Sequence, residues 1–155
     1  MAGIETLMVT DMVTAAPHET VAEVAKRMSR NRVGAVLLVE GNTLRGLFSE
    51  RDLLTRVVQA NRNPAQTKVA DVATRDVVTI DAAASVKDVL QIFREKKFRH
   101  LPVVRGAHPV GILSTRDFLD YLVEGLEHYI DQLKYKRELA EGIDPYDHVG
   151  GSYGR

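Results

Sequence analysis

Shifted along itself by 65 positions, the chain matches without a gap, residues 4–54 falling on 69–119. Asp11, Val13 and Thr14 fall on Asp76, Val78 and Thr79; Val21 and Val24 fall on Val86 and Val89; Val39 and Gly41 fall on Val104 and Gly106. The run Gly46, Ser49, Arg51, Asp52 and Leu54 falls on Gly111, Ser114, Arg116, Asp117 and Leu119. A fixed-period match of this kind marks two copies of one supersecondary unit. A unit of about 50 residues buries too little surface to stand alone, so the two copies are expected to pack together.

Each copy carries the same signals in the same order. A short extended piece, 12–15 or 77–80, leads to a helix opening at Thr20 or Ser85. Thr20-Val21-Ala22-Glu23 is a capping box, and Ser85-Val86-Lys87-Asp88 has its shape with Asp in the third place. Val21, Val24, Ala25 and Met28, like Val86, Val89, Leu90 and Phe93, recur at helical spacing and are expected to face the core. Two β-rich runs bent at a glycine follow, 34–40 with 44–48 and 99–104 with 110–113. A second helix starts at Ser49 or Ser114, which makes the order β-α-β-β-α, twice. The polar stretch 61–68, with Pro64, reads as the connector.

The densest shared chemistry sits where the second hairpin strand meets the second helix. Gly46-Leu47-Phe48-Ser49-Glu50-Arg51-Asp52 and Gly111-Ile112-Leu113-Ser114-Thr115-Arg116-Asp117 have one form: Gly, two apolar residues, Ser, any residue, Arg, Asp. Glycine lets a backbone or a ligand approach closely. A serine N-cap sets a hydroxyl beside free N–H groups at the positive end of a helix, which suits an anion. An aspartate three residues on can accept from a vicinal diol such as a ribose, and Arg beside it can pair with phosphate. Ser-x-x-Asp is equally a plain capping box. Capping and binding are compatible, because one carboxylate can do both.

Composition narrows the partners. The chain has 155 residues, 45% of them hydrophobic and 27% charged, as in globular proteins. Lys plus Arg balance Asp plus Glu, so a broad nucleic-acid face, which works by releasing counterions from phosphates, is not expected. With no cysteine, disulfides, thiolate metal sites and a cysteine nucleophile are excluded. His18, His108, His128 and His148 match no metal-ligand spacing and are read as surface residues. No nucleophile–base pair is recognisable, so an enzyme is not expected. No apolar run reaches the ~20 residues of a membrane span, and residues 1–10 lack signal-peptide character, so a soluble cytoplasmic protein is the expectation.

The repeat order, the Phe98-Arg99-His100-Leu101-Pro102-Val103-Val104 run and both Gly-x-x-Ser-x-x-Asp segments resemble CBS domains paired in a Bateman module. The resemblance spans about residues 4–121. It implies an α/β fold of the α+β type, two CBS repeats packed by pseudo-twofold symmetry, with clefts that bind adenosyl ligands: AMP, ADP, ATP, NAD or S-adenosylmethionine. The ligand would be regulatory, with no catalytic cofactor. Ser49 with Asp52, and Ser114 with Asp117, would hold ribose and phosphate, with Arg51 and Arg116 near the phosphate. Each cleft would borrow strands from the other repeat. The Asp117 cleft would use Thr14 to Ala16 and the edge containing Gly34 and Val36; the Asp52 cleft would use Val78, Thr79 and Asp81 with the edge from Phe98 through Arg99 and His100. Arg99-His100 stands opposite Gly34-Ala35, and Asp81 opposite Ala16, so unequal affinities are expected. Arg99 and His100 either contact phosphate or lie on a solvated edge. The family also implies a homodimer, a disc of four repeats, and a separate effector protein.

The expected layout is a first domain over 1–60, the connector 61–68, a second domain over 69–122, a helical extension over 123–142 and a tail over 143–155. Leu119, Leu122, Leu126, Tyr129 and Leu133 step by three or four, an apolar stripe that either packs back on the module or meets a dimer mate or partner. Gly142 and Pro145 mark its stop. The alternative to a ligand sensor is a ligand-free structural or inhibitory module acting through this helix.

Overall fold

The computed structural model describes residues 3–97 and 99–142. Phe98, Pro145, His148 and the tail 143–155 lie outside the described residues. The chain divides into two compact units, Met1–Asp117 and Phe118–Arg155. Both repeats lie in the first unit, apart from most of the last helix.

In the first repeat, strand β1 (Thr14–Ala15) precedes helix α1 (Val21–Asn31), strand β2 (Ala35–Glu40) and strand β3 (Thr43–Ser49). Helix α2 follows, as an α turn over Glu50–Asp52 that continues as a π-helix over Leu53–Val58. The second repeat runs β4 (Ile80–Asp81), α3 (Val86–Glu95), β5 (His100–Arg105), β6 (His108–Ser114) and α4 (Thr115–Ala140). The opening strands are shorter than expected. Two residues each find a ladder partner, β1 beside β2 and β4 beside β5, both parallel.

The sequence reasons for these elements are visible in the bonds. Both helix starts are full capping boxes. Glu23 N–H donates to Thr20 Oγ1 at 3.3 Å and Thr20 N–H donates back to Glu23 Oε2 at 2.9 Å. Asp88 serves Ser85 in the same way, receiving its N–H at 2.7 Å. Gly41 and Gly106 turn the hairpins with φ of +61° and +65°, a region that glycine enters without steric cost. Each hairpin shifts register at the equivalent place, between Leu38 and Val39 and between Val103 and Val104. The result is two three-stranded sheets, β1-β2-β3 and β4-β5-β6.

The repeats are joined by exchange of their lead-in segments. Val9 pairs with Ile112 of the second sheet, and Thr74 pairs with Leu47 of the first, each through two backbone bonds of 2.9–3.0 Å. Gly3 likewise bridges to Ser85, and Lys68 to Thr20. These pairings map onto one another under the 65-residue shift. The connector therefore does not hang free: the Thr67 carbonyl accepts the Val21 N–H at 2.9 Å, and the residues after it, Val69, Val72 and Ala73, join Val21, Val24, Met28, Val36, Leu38 and Phe48 in one buried cluster.

The helices are buried unequally. Val21, Val24 and Met28 of α1 face the core as expected, whereas in α3 only Val89 is fully buried and Val86, Leu90 and Phe93 are half-buried. In the second unit, α4 runs on to Ala140 as the apolar stripe predicts, and Gly142 closes it with φ of +72°.

Candidate functional site

Ser49 and Ser114 sit where β3 and β6 end, and each accepts the N–H of the aspartate three residues on, at 3.3 Å and 3.1 Å. The hydroxyls donate in return, Ser49 Oγ to Asp52 Oδ2 at 3.1 Å and Ser114 Oγ to Asp117 Oδ2 at 2.6 Å. Capping is thus real at both corners. Arg51 and Arg116 stand exposed in the first helical turn beside them.

The two corners then diverge. Asp52 is 7% exposed. Its Oδ2 also accepts the Ser49 N–H at 3.0 Å, and Arg56 Nε lies 3.5 Å from its Oδ1. Arg56 is anchored in turn by donating to the Ala73 carbonyl at 3.1 Å, so it ties the first corner to the exchanged lead-in segment. Asp117 is half-buried, and among the described residues its Oδ1 has no protein donor. The difference is written in the repeat, since Arg56 falls on Tyr121 under the 65-residue shift.

The motif glycines make room for protein. A Cβ on Gly46 would stand 3.0 Å from the Thr74 carbonyl oxygen, and one on Gly111 would stand 2.5 Å from Met8 Sδ. Both neighbours belong to the exchanged segments. Gly46 thus admits backbone and Gly111 a side chain.

Gly34, Glu50, His100 and Asp117 meet where the repeats face each other. A Cβ on Gly34 would lie 3.4 Å from Glu50 Oε2 and 3.7 Å from His100 Cε1. Burial holds the His100 imidazole below its ordinary range, opposed by the Glu50 and Asp117 carboxylates and reinforced by Arg99. Arg99 is exposed, and its carbonyl accepts both the backbone N–H and the hydroxyl of Thr115, at 2.9 Å and 3.2 Å. The Asp117 carboxylate of its own repeat is thus among the charges that act on His100.

The remaining expected site residues are distributed as follows. Val36 is fully buried in the first repeat's core, so the edge near it is presented by Gly34. The Thr14 carbonyl accepts from Arg27 at 2.8 Å, and Ala16 N–H donates to Glu19 at 2.7 Å, while Arg27 and Glu19 form an ion pair. That pair fixes the strand end and was not read from the sequence. Val78 and Thr79 are half-buried. Thr79 lines an open depression of about 200 Å³ together with Gly46, Arg45, Arg75 and Val77. Neither Ser49 nor Asp52 lines it. Asp81 Oδ1 accepts the Ala83 N–H at 2.8 Å, a turn leading into α3.

Glu50 is the functional candidate that the sequence did not single out, because it fills the unspecified place of the motif and Thr115 replaces it in the second copy. Among the described residues, no group of three or more His, Cys, Asp or Glu could hold a metal ion. None of the described helices is long and apolar enough to cross a membrane.

Comparison with known proteins agrees with this architecture. The family model described as "CBS domain" matches residues 4–59 and again 69–124. A CBS domain-containing protein of Bacillus subtilis is 31% identical over 117 residues, 76% of this chain and 83% of that protein. A crystallised CBS domain superposes with a TM-score of 0.73 at 25% identity, covering 79% of this chain and 99% of its own. A CBS domain protein from Pyrobaculum aerophilum, complexed with AMP, superposes with a TM-score of 0.68 at 27% identity, covering 75% of this chain and 89% of its own. With one family model matching twice, at the period of the internal repeat, the chain belongs to the CBS-domain proteins as a tandem CBS pair.

Proposed function

We propose that the protein is a regulatory module that binds an adenosyl ligand, AMP, ADP, ATP, NAD or S-adenosylmethionine, and that the Asp117 corner supplies the ribose contact. The observation that carries this is the contrast between the two carboxylates. Among the described residues, Asp117 keeps one oxygen without a protein donor, and its carboxylate acts on the half-buried His100. Asp52 already serves Ser49 and Arg56. A ribose diol competes for a free acceptor more readily than for one that a guanidinium occupies. Phosphate would meet Arg116 and the Ser114 helix start, with His100 and Arg99 adjacent. The AMP complex of the Pyrobaculum aerophilum relative supports the ligand class.

Asp117 belongs to the first turn of α4, so a ligand held there acts on the start of that helix. A response follows to the extent that the ligand prefers one arrangement of the helix over another, and it passes to a separate effector protein. The test is thermal unfolding in AMP, ADP, ATP, NAD and S-adenosylmethionine, since a ligand that binds only the folded state raises Tm. At least one should do so, and Asp117→Ala should abolish the shift. No shift with any of them at millimolar concentration rejects the sensor reading.

A further inference from the structure

Three pieces of backbone meet beside the start of β3. The lead-in segment of the second repeat is held to β3 by the two bonds between Thr74 and Leu47, and the β5–β6 turn is held there by the Leu44 N–H, which donates to the Ala107 carbonyl at 3.0 Å. Among them lies the open depression of about 200 Å³ that Thr79 lines, and a second depression of about 170 Å³ shares Arg45 and Arg75 with it. Ser49, Asp52, Ser114 and Asp117 line neither. No carboxylate lines the first depression. Arg75 is exposed and makes no ion pair among the described residues; its guanidinium donates to the Ala70 carbonyl at 3.5 Å, at the limit of a hydrogen bond. Arg45 pairs with Glu40 at 3.0 Å, but both side chains are more than half exposed, where such a pair contributes little. The half-buried Thr79 adds a hydroxyl.

We propose that Arg45 and Arg75 form a second binding site, separate from the serine–aspartate corners, for a phosphate group, either free or carried on a compact organic molecule. Each guanidinium offers a planar fork of N–H donors that matches phosphate oxygens, and two of them balance a dianion. Size limits the ligand. Pockets that hold drug-sized molecules measure about 300–1,000 Å³. A depression of about 200 Å³ therefore admits a phosphate with a few carbons against Leu44, Val77 and Val104, and not a whole adenosyl ligand. The fold itself does not require the two arginines. Under the 65-residue shift Arg45 falls on Val110 and Arg75 on Thr10, so the same places in the other copy carry no charge. Glu40 is the built-in competitor, since it holds Arg45 when no anion does.

Amide chemical shifts of the whole chain, titrated with inorganic phosphate and separately with glycerol 3-phosphate at constant ionic strength, test the proposal. Amides of residues 44–46, 75–79 and 106–107 should move and saturate with at least one of the two. Tighter binding of glycerol 3-phosphate assigns the site to a phosphorylated molecule, and equal or weaker binding assigns it to the free ion. Arg45→Gln and Arg75→Gln should each weaken binding by about tenfold or more. Glu40→Gln releases Arg45 and should strengthen it, a gain that damage to the fold would not produce. Asp117→Ala should leave this binding as it is, which keeps the result independent of any ligand at that corner. Both arginines are exposed, so the remaining amides of each variant should keep their positions. No saturable movement at these residues in tens of millimolar of either compound, movement confined to the helix start at Ser114, or binding that survives Arg75→Gln overturns the proposal.

Discussion

Replacing Asp52 by alanine and, separately, Asp117 by alanine should divide stability from ligand binding. Asp52→Ala strips the Ser49 N–H and Oγ–H of their acceptor and leaves Arg56 without its carboxylate. Losing one side of a capping box costs about 0.5–2 kcal/mol. A buried donor left unpaired adds about 1–3 kcal/mol. The exposed half of the Arg56 pair adds little. The sum is roughly 1.5–5 kcal/mol, which urea denaturation reads as a lower midpoint at unchanged slope. Asp117→Ala removes one acceptor, that of the Ser114 hydroxyl, from a half-buried position, and should cost about 1 kcal/mol. In calorimetric titration the order reverses. Losing the charge-assisted ribose contact at Asp117 should weaken nucleotide binding by about ten- to a hundredfold, the equivalent of 1.5–3 kcal/mol. Asp52→Ala, measured where it is folded, should bind nearly as wild type does. Loss of binding in Asp52→Ala with binding intact in Asp117→Ala refutes Asp117 as the ribose contact.

Gly46→Ala should destabilise the fold by about 1–3 kcal/mol, because the obstacle is the Thr74 backbone carbonyl. Gly111→Ala strikes the Met8 side chain instead, so adding Met8→Ala should recover part of its loss; urea midpoints of the two single variants and the double variant decide, and equal loss with and without Met8 rules the account out. His100 titrates below its ordinary value of 6.5 in the folded state, so the unfolded chain takes up that proton first. The stability tied to its neutral form is present above pH 6.5 and is lost as pH falls through that value. His100→Gln should flatten the pH dependence of Tm across that window, and an unchanged profile would remove His100 from the account.

Much of this could be read along the chain because the signals are local. Thr20 and Ser85 act on N–H groups three residues away, Gly41 and Gly106 on their own φ angles, and Ser49 and Ser114 on the next turn. The helical stripe of α4 declares itself the same way. Even the inequality of the corners was present as Arg56 against Tyr121, although its meaning depended on where the guanidinium would reach.

The exchange of the lead-in segments was not legible. Val9 reaches Ile112 and Thr74 reaches Leu47 by closing long loops, and nothing in the local pattern of residues 3–9 or 67–74 names a partner. That exchange gives the motif glycines their purpose and brings Ala73 within reach of Arg56, which pairs with Asp52. It also sets Gly34 and Glu50 against His100. The sequence by itself determined two copies of one β-α-β-β-α unit, their caps, their turns and the chemistry at each corner, because those depend on neighbours within a few residues. Tertiary structure alone decided that Asp52 is buried with Arg56 at hand while Asp117 is half-buried, because that depends on contacts between segments far apart in the chain.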